Sequence, residues 1–485
     1  MYATGIPFGH LVDTKGPRPG AALGAILLGA GYFPIKKAYD DGAGSMSVPV
    51  VCFLSFLTGC GSCSAFQAAI KVSALNWPLH RGTATAFPLS AFGLSALFFT
   101  ICSGLAFPDD TSKLLLFLAI GTFCLISVGT ILISVPRPHQ YQALTQSEDQ
   151  PPPDQRRESN HLERTTWWRS KHKNSRPLEE PSKSPFHCYY NSCQYPHLAS
   201  EERRDETPDD HADEASSLLS SGASDIAHED STKHGNHRDR HSHPLDISGL
   251  RLLPHAEFWL IFAMIGMLTG IGLMTINNIG NDAQALWTSY SGGKVEKSFI
   301  LRRQLFHVSL ISLFSFLGRL TSGIGSDILV KRMRTSRFWC LVASSSFFTI
   351  GQIIALSVTN PHYLWLVSSI CGLGYGALFG VSPSLVADAF GISGLSLNWG
   401  IMILGPVIWG NIFNIVYGRV FDAHSRILEN GDRLCSEGLR CYRDAYWVTF
   451  TISLVAIVVS LWGVWHDRKA RRTREEERER REHLA

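Results

Sequence analysis

Charged residues are scarce in this 485-residue chain, where Asp, Glu, Lys and Arg together make up only 18% of the sequence. Several stretches of about 20 residues contain none of them, for example 48–70, 83–107, 114–135, 338–359, 363–387 and 446–465. A helix needs about 20 apolar residues to cross the hydrocarbon core of a bilayer, and buried helices of soluble proteins rarely have so long an apolar run. The missing charge therefore excludes a soluble globular fold and predicts a polytopic membrane protein.

Signals for secretion are also missing. Residues 1–10 have neither the basic start nor the full apolar run of a cleavable signal peptide, and no N-x-[ST] sequon occurs anywhere in the chain. Most of the 11 cysteines lie inside apolar stretches, which argues against the disulfide framework of a small secreted protein. Cys60 and Cys63 have CxxC spacing, but in mid-span we expect them to act as small apolar packing residues.

Four complete spans are predicted before a long polar segment and six after it: 20–35, 48–70, 83–107, 114–135, 258–279, 300–323, 338–359, 363–387, 395–418 and 446–465. The chain thus divides into a first half at 1–135 and a second half at 255–466. The intervening 136–254 is rich in Pro, Ser, His and charged residues, a composition that buries too little apolar surface to offset chain entropy. We predict a disordered cytosolic linker there, and a charged cytosolic tail at 467–485.

One short segment occurs in both halves. GHLVDTKGPR at 9–18 and GIGSDILVKR at 323–332 align in three pairs: Gly9 with Gly323, Asp13 with Asp327, and Arg18 with Arg332. In the second half the segment ends a full span, which is itself preceded by another full span. This register predicts an all-α fold of 6+6 helices in which the first helix and most of the second are missing from the chain, leaving ten spans and a stub.

Lys and Arg in the short loops predict the orientation of the spans. They are concentrated in four segments: 8–18, 71–82, 324–337 and the C-terminal tail. The opposite side has the acidic 108–112 and the neutral 358–362, against four basic exceptions at Lys36, Lys37, Arg302 and Arg303. The balance places the linker and both termini in the cytosol.

The repeated segment resembles the cytoplasmic signature loop of the major facilitator superfamily. Glycine lets two helices approach closely, and we expect the aspartate to accept hydrogen bonds from the free N–H groups of the next helix. Finer resemblance is to the Nodulin-like group and its fungal monocarboxylate-transporter homologues. It lies in NWPLHRGTATAFPLSAFGLSALFF (76–99), FWLIFAMIGMLTGIGLMTINNIG (258–280), FLGRLTSGIGSD (316–327), GLGYGALFGVSPSLVADAFG (372–391) and CSEGLRCY.

The resemblance implies a vacuolar membrane carrier of a small solute, working by alternating access, with a small organic anion such as a monocarboxylate as one substrate class. Its cavity-lining helices correspond here to 48–70, 258–279 and 363–387, where polar residues are site candidates because lipid disfavours them. The cavity candidates on these helices are Gln67, Lys71, Asn277, Asn278 and Tyr375. Asn398, on span 395–418, is a secondary candidate. Hydrogen bonding between helices is the alternative role for each.

The residues assigned to the conformational signature loops are Gly9, Asp13, Arg18, Gly318, Arg319, Gly323, Asp327 and Arg332. Arg319 is expected to lock a conformation or anchor an interface rather than to bind substrate. No acidic residue is evident at mid-membrane depth, since Glu257 is at a span edge and Asp388 is near the cytosolic end, so the coupling ion stays open. His307 is expected to be structural, and GLGYG (372–376) to pack closely against another helix.

Three further features complete the prediction. The segment EASSLL has the acidic-dileucine spacing of a sorting signal through Glu214, Leu218 and Leu219, which suggests a sorting adaptor as partner. The resemblance extends to Cys435 and Cys441, which lie close enough in sequence to form a non-cytosolic disulfide or remain two free thiols. The His-rich 228–243 raises metal transport as an alternative, disfavoured because the spans lack the His and Asp pairs of a metal path.

We therefore predict a solute transporter, with a non-transporting receptor or scaffold that signals through its linker as the alternative of a different class. The sequence offers no nucleophile with a neighbouring general base in a plausible pocket, so we expect no enzymatic activity. The expected surroundings are the lipid bilayer and a small-molecule solute, with no cofactor, metal or nucleic acid, and the chain is expected to be a monomer.

Overall fold

The computed structural model describes residues 4–42, 44–107, 110–135, 246–292, 295–427 and 433–484. All of them belong to one compact unit formed by 1–141 and 243–485. The sorting segment at 214–219 and the histidine-rich segment at 228–243 lie outside the described residues.

Where the first half is described, it contains five α-helices: α1 (Gly5–Lys15), α2 (Pro17–Asp40), α3 (Val48–Asn76), α4 (Arg81–Ala106) and α5 (Thr111–Leu132). The turn between α1 and α2 depends on Gly16, whose φ of 90° few other residues adopt. Pro17 then starts α2, a position where its missing N–H costs no hydrogen bond.

In the second half the described residues form seven α-helices: α6 (Ala256–Tyr290), α7 (Lys297–Lys331), α8 (Phe338–Ser357), α9 (Leu364–Phe390), α10 (Leu395–Met402), α11 (Leu404–His424) and α12 (Arg443–Leu484). A two-stranded antiparallel ribbon, β1 (Arg426–Ile427) and β2 (Arg433–Leu434), follows α11. The predicted tail continues α12 as one helix to Leu484.

In the described part of the chain, nine helical segments are long and apolar enough to cross a membrane, with α10 and α11 counted as one at Leu395–His424. They include every predicted span except 20–35. That span lies in α2, a helix of 24 residues, but Arg18, Lys36 and Lys37 flank its apolar run and shorten it. The all-α, two-half architecture agrees with the prediction.

The predicted linker ends earlier than expected. Residues 246–254 are part of the second half, where Leu252 is fully buried and the Ile247 N–H donates to the carbonyl oxygen of Phe390. The apolar residues in this short segment explain the difference, because burying their side chains stabilises its contact with the second half.

Glycines let α7 and α9 pack backbone to backbone. A Cβ placed on Gly376 would lie 2.2 Å from the carbonyl oxygen of Ser315, and one on Gly318 would lie 2.4 Å from that of Leu373. The glycine-rich 372–376 is therefore a close-packing surface between membrane helices, as the sequence indicated. This packing fixes α7, which carries the central residue of the site described below.

Candidate functional site

The two halves meet where α1 reaches the start of α10. A Cβ on Gly9 would lie 2.3 Å from the carbonyl oxygen of Ser396, so only glycine permits this approach. The carboxylate of Asp13 accepts hydrogen bonds from the backbone N–H groups of Ser396 at 3.2 Å and Leu397 at 2.7 Å. Those N–H groups have no partner within their own helix, so a residue of the first half caps a helix of the second.

Lys71 on α3 reinforces this contact. Its Nζ donates to Asp13 at 2.8 Å and to the carbonyl oxygens of Ile392 at 2.6 Å and Ser393 at 2.5 Å. The side chains of Lys71 and Asp13 are 7% and 9% exposed. The ammonium group therefore joins the first half to the turn between α9 and α10 in a nearly water-free setting.

The second contact between the halves has the same form with the roles exchanged. Asp327 on α7 accepts from the backbone N–H groups of Gly82 at 3.0 Å and Thr83 at 2.7 Å, at the start of α4. A Cβ on Gly323 would lie 2.2 Å from the Cβ of Ala86. A residue of the second half thus caps a helix of the first half, and we call the two contacts together the paired caps.

Arg337 connects the second cap to the rest of the second half. Its Nη1 donates to Asp327 at 2.9 Å and its Nε to Asp388 at 2.6 Å, while Arg81 of the first half reaches Asp388 at 3.3 Å. Burial lowers the pKa of the Arg337 guanidinium, but the carboxylates of Asp388 and Asp327 outweigh this effect and raise it overall. Arg337 therefore stays charged between its two partners.

The structure corrects the predicted partner of each signature aspartate. The sequence suggested the next helix in the same half, but each carboxylate caps a helix of the opposite half. The reason is local: α2 begins with Pro17, which has no N–H, and α8 begins only at Phe338, 11 residues after Asp327. The starts of α4 and α10 offer free N–H groups instead.

A cavity lies between the halves, with about 410 Å³ of empty space, open solvent at its mouth included. The residues that line it come from both halves: Cys63, Phe66, Gln67, Leu89, Phe92, Arg319, Phe379, Trp399 and Ile403. Eight of these nine are neutral, and Arg319 carries the only charge among the lining residues that the structure describes. The cavity therefore combines apolar walls with one positive centre.

Aromatic rings surround the guanidinium of Arg319, whose residue is 2% exposed. Its Cζ lies 5.7 Å from the ring centre of Phe92, 5.8 Å from that of Tyr375 and 5.6 Å from that of Phe379. A Cβ on Gly93 would lie only 1.9 Å from its Nη1. The glycine leaves the space that the guanidinium occupies, and the rings hold it by cation–π attraction.

The structure distributes the predicted cavity residues over several places. Gln67 lines the cavity, and the Tyr375 ring packs beside Arg319. Lys71 lies in the first cap. The remaining amides join helices or segments: Asn278 donates to Asn414 at 3.0 Å between α6 and α11 with Asn277 beside it, and Asn398 donates to the carbonyl oxygen of Ile247 at 2.8 Å.

The signature-loop residues also separate. Gly9, Asp13, Gly323 and Asp327 build the paired caps, while Gly318 serves the packing of α7 on α9. Arg18 donates to the carbonyl oxygen of Ile133, which holds the end of α5. Arg332 follows the last residue of α7 and is exposed. The sequence grouped Arg319 with these loops, but in the structure it lies in the cavity wall, about two helical turns before Asp327 on α7.

Sequence reasoning missed two buried charged residues. Arg337 was counted only as part of a basic loop, although the spacing to Asp327 could have suggested a pair. Asp282 was missed because the predicted span stopped at 279, whereas α6 continues to Tyr290. Cys435 and Cys441 form a disulfide in the structure, and within the described residues no cluster of three metal-ligating side chains occurs.

Two helical halves that cap each other at one end and enclose a cavity define a polytopic membrane protein with a carrier-like fold. The family model described as "Major Facilitator Superfamily" matches residues 1–391. This is more than half of the chain, which therefore belongs to that superfamily.

Known proteins resemble the chain over most of its length. An uncharacterized membrane protein of Saccharomyces cerevisiae is 27% identical over 92% of this chain and 82% of its own. The protein named "Probable transporter mch1" of Neurospora crassa is 23% identical over 95% of this chain and 81% of its own. Among solved structures, the Escherichia coli fucose:proton symporter FucP is 13% identical, with a TM-score of 0.44 over 94% of this chain and 88% of its own.

Removing Arg337 tests the buried network. Arg337→Gln leaves the carboxylate of Asp327 buried without its cation, and breaking a buried pair in this way costs about 3–5 kcal/mol. We expect this loss in the free energy of unfolding, measured by denaturant titration in detergent. The matched control is Arg433→Gln, which breaks a half-exposed pair with Asp422 and should have a much smaller effect. Equal losses in the two variants would contradict the role of Arg337.

Adding one methyl group tests the close contact of α1 with α10. Gly9→Ala places a Cβ against the carbonyl oxygen of Ser396, so the two helices must separate and open the cavity. The reporter is Cys63, which is 1% exposed in the cavity wall and should react several times faster with a hydrophilic maleimide, as read by peptide mass spectrometry. Gly129→Ala, which meets open space, should leave the rate unchanged. Equal rates in both variants would refute the contact.

Proposed function

We propose that this protein is a carrier of small organic anions, with monocarboxylates as the first class to test, and that it works by alternating access between its two halves. The observation that carries the proposal is Arg319, a buried guanidinium in the wall of a cavity between the halves. Membership of the superfamily supports a transport role, and the name of the Neurospora relative supports it too.

The chemistry of the cavity favours an anion. A guanidinium presents a planar set of N–H donors that matches the two oxygens of a carboxylate. Its attraction to an anion is stronger among apolar walls than in water, because the effective dielectric constant is lower. In this closed state the cavity holds little more than a water molecule, so it must widen around a solute when the halves part. Gln67, on the opposite half from Arg319, supplies an amide for a second polar group of the solute.

The paired caps give the carrier its two states. In the structure the halves are closed against each other at the end that holds Asp13 and Asp327. Opening this end releases two carboxylates from helix N-termini, and it also separates Lys71 from the carbonyl oxygens of Ile392 and Ser393 and Arg81 from Asp388. The closed state is thus held by a few discrete contacts that break together, which is the behaviour of a two-state gate rather than of a gradual deformation.

Uptake measurements on purified protein in liposomes test the proposal with radiolabelled pyruvate as the probe. Arg319→Gln removes the charge, and we expect at least a tenfold loss of uptake, since a hydrogen bond between charged groups contributes about 1.5–3 kcal/mol. Arg319→Lys should retain part of the activity. Arg302→Gln, which removes an exposed charge from the same helix, is the matched control and should transport normally.

Two results would contradict the carrier function. Undiminished pyruvate uptake by Arg319→Gln would remove Arg319 from the site. Absence of flux for pyruvate and for a panel of other small anions, in protein that is folded and inserted, would instead favour the receptor or scaffold alternative.

We further propose that the protein lies in the vacuolar membrane with its linker and both termini in the cytosol. The disulfide between Cys435 and Cys441 supports this orientation, because such bonds persist on the non-cytosolic side of membranes. That placement puts the paired caps at the cytosolic face. The acidic-dileucine segment with Glu214, Leu218 and Leu219 supports the vacuolar location, because a sorting adaptor could bind it. The resemblance to fungal vacuolar proteins supports the same location.

Orientation and address can be tested in fungal cells that express a tagged chain. A tag after Ala485 should be removed by protease added to intact vacuoles. Replacing Leu218 and Leu219 by Ala should move the protein to another membrane, as seen by fluorescence microscopy, whereas replacing Ser216 and Ser217 by Ala should not. A protected tag would reverse the orientation, and unchanged vacuolar location of the leucine variant would remove the motif from sorting.

A further inference from the structure

A buried carboxylate lies in the second half, far from the paired caps. Asp282 on α6 is 1% exposed. It follows Glu257 by 25 residues, so it lies about 38 Å further along the helix at 1.5 Å per residue. Glu257 shares a pocket with Arg337 at the gate end of the molecule. Asp282 therefore belongs to the opposite end.

Two tyrosines hold this carboxylate. The hydroxyl of Tyr417 on α11 donates to Oδ1 and the hydroxyl of Tyr446 on α12 donates to Oδ2, each at 2.6 Å. Asp282 thus joins three helices through its two oxygens. No Lys, Arg or His forms an ion pair with it among the residues that the structure describes.

Among the described residues, the titratable groups that interact with Asp282 are neutral in their protonated forms. The titratable groups that surround it are Tyr417 from α11, Tyr442 and Tyr446 from α12, and Cys371 from α9. The other described charged and titratable groups nearby have their own surroundings: Arg303 on α7 stacks on Trp287 with His362 at the same ring, the buried His307 on α7 bonds to Ser368, and Arg440, Arg443 and Asp444 are exposed. The pair Asp422 and Arg433 is half-exposed.

Burying a negative charge without a cation is costly, and a carboxyl group in such a setting avoids the cost by binding a proton. We propose that Asp282 is a proton-binding site at the end of the second half opposite the paired caps. Its proton changes how α6 is held against α11 and α12. As a carboxylate it accepts from both tyrosines, whereas as a carboxylic acid it donates its own O–H to one of them, which must then turn its hydroxyl away.

The position of Tyr417 connects this site to the gate. Tyr417 lies on α11, which continues the span begun by α10, and Asp13 caps the start of α10 at Ser396 and Leu397. The two contacts thus hold opposite ends of the span Leu395–His424. If that span moves when the gate opens, proton binding and gate opening influence each other's equilibrium in both directions. This coupling rests on the proposed carrier function, and it identifies the proton as the coupling ion of the carrier.

Infrared difference spectroscopy tests proton binding without any solute. Spectra of the full chain in liposomes are compared between weakly acidic and weakly alkaline buffer, a range in which exposed carboxylates stay ionised. We expect a carboxylic C=O band that appears on acidification, is lost in Asp282→Asn and is kept in Asp422→Asn. Tyr446→Phe removes a hydrogen bond and should move the band to higher wavenumber.

The matched control for that shift is Tyr442→Phe, because the Tyr442 hydroxyl is buried one turn away but does not bond to Asp282. Absence of the band, or an equal band in Asp282→Asn, would overturn the proton site even if the protein transports pyruvate. The band without any solute flux would keep the site and reject the carrier function. For coupling, pyruvate uptake by Asp282→Asn should lose the dependence on pH that Asp422→Asn retains, and an unchanged dependence would overturn the coupling.

Discussion

The N–H groups that begin an α-helix have no partner inside the helix, and this constraint organises the contact between the two halves. In water such groups are solvated at little cost, but at a packed junction of membrane helices each must find an acceptor. Asp13 and Asp327 provide the acceptors across the junction. Glycines at 5, 9, 82 and 323 bring the backbones close enough for this to happen. Lys71 and Arg337 then neutralise the buried carboxylates, so cap, glycine and cation form one unit on each side.

The buried charges are of two kinds, which differ in the groups that hold them. Charges at the paired caps are compensated in pairs and can be exposed together when the halves part. Arg319 in the cavity and Asp282 at the far end are held instead by aromatic rings and tyrosine hydroxyls. The tyrosine hydroxyls that hold Asp282 are neutral, so they leave the charge of its carboxylate in place, and the proposed proton site depends on this.

Sequence patterns predicted the membrane spans, the two halves and the repeated loops, because these follow from apolar length and local spacing. The partners of Asp13 and Asp327 could not be predicted, since they lie more than 240 positions away in the chain and depend on how the halves dock. From its place beside Gly318, Arg319 was predicted to lock a conformation or anchor an interface, whereas its position in the cavity wall depends on the space at Gly93. Asp282 was missed because helix ends are the least predictable boundaries.

The length of α12 has a mechanical consequence. The helix continues without a break from the membrane span to Leu484, and beyond Trp465 it extends for about 28 Å at 1.5 Å per residue. Its first turns past the span, at His466 and Arg471, border the same pocket as Arg337 and Asp388. Because this extension is continuous with the membrane span, it tilts together with the span. A tilt of about 15°, similar to the subunit rotations of known switches, displaces the C-terminal end of α12 by roughly 7 Å. The charged end of α12 thus moves much further than its base whenever the last span tilts.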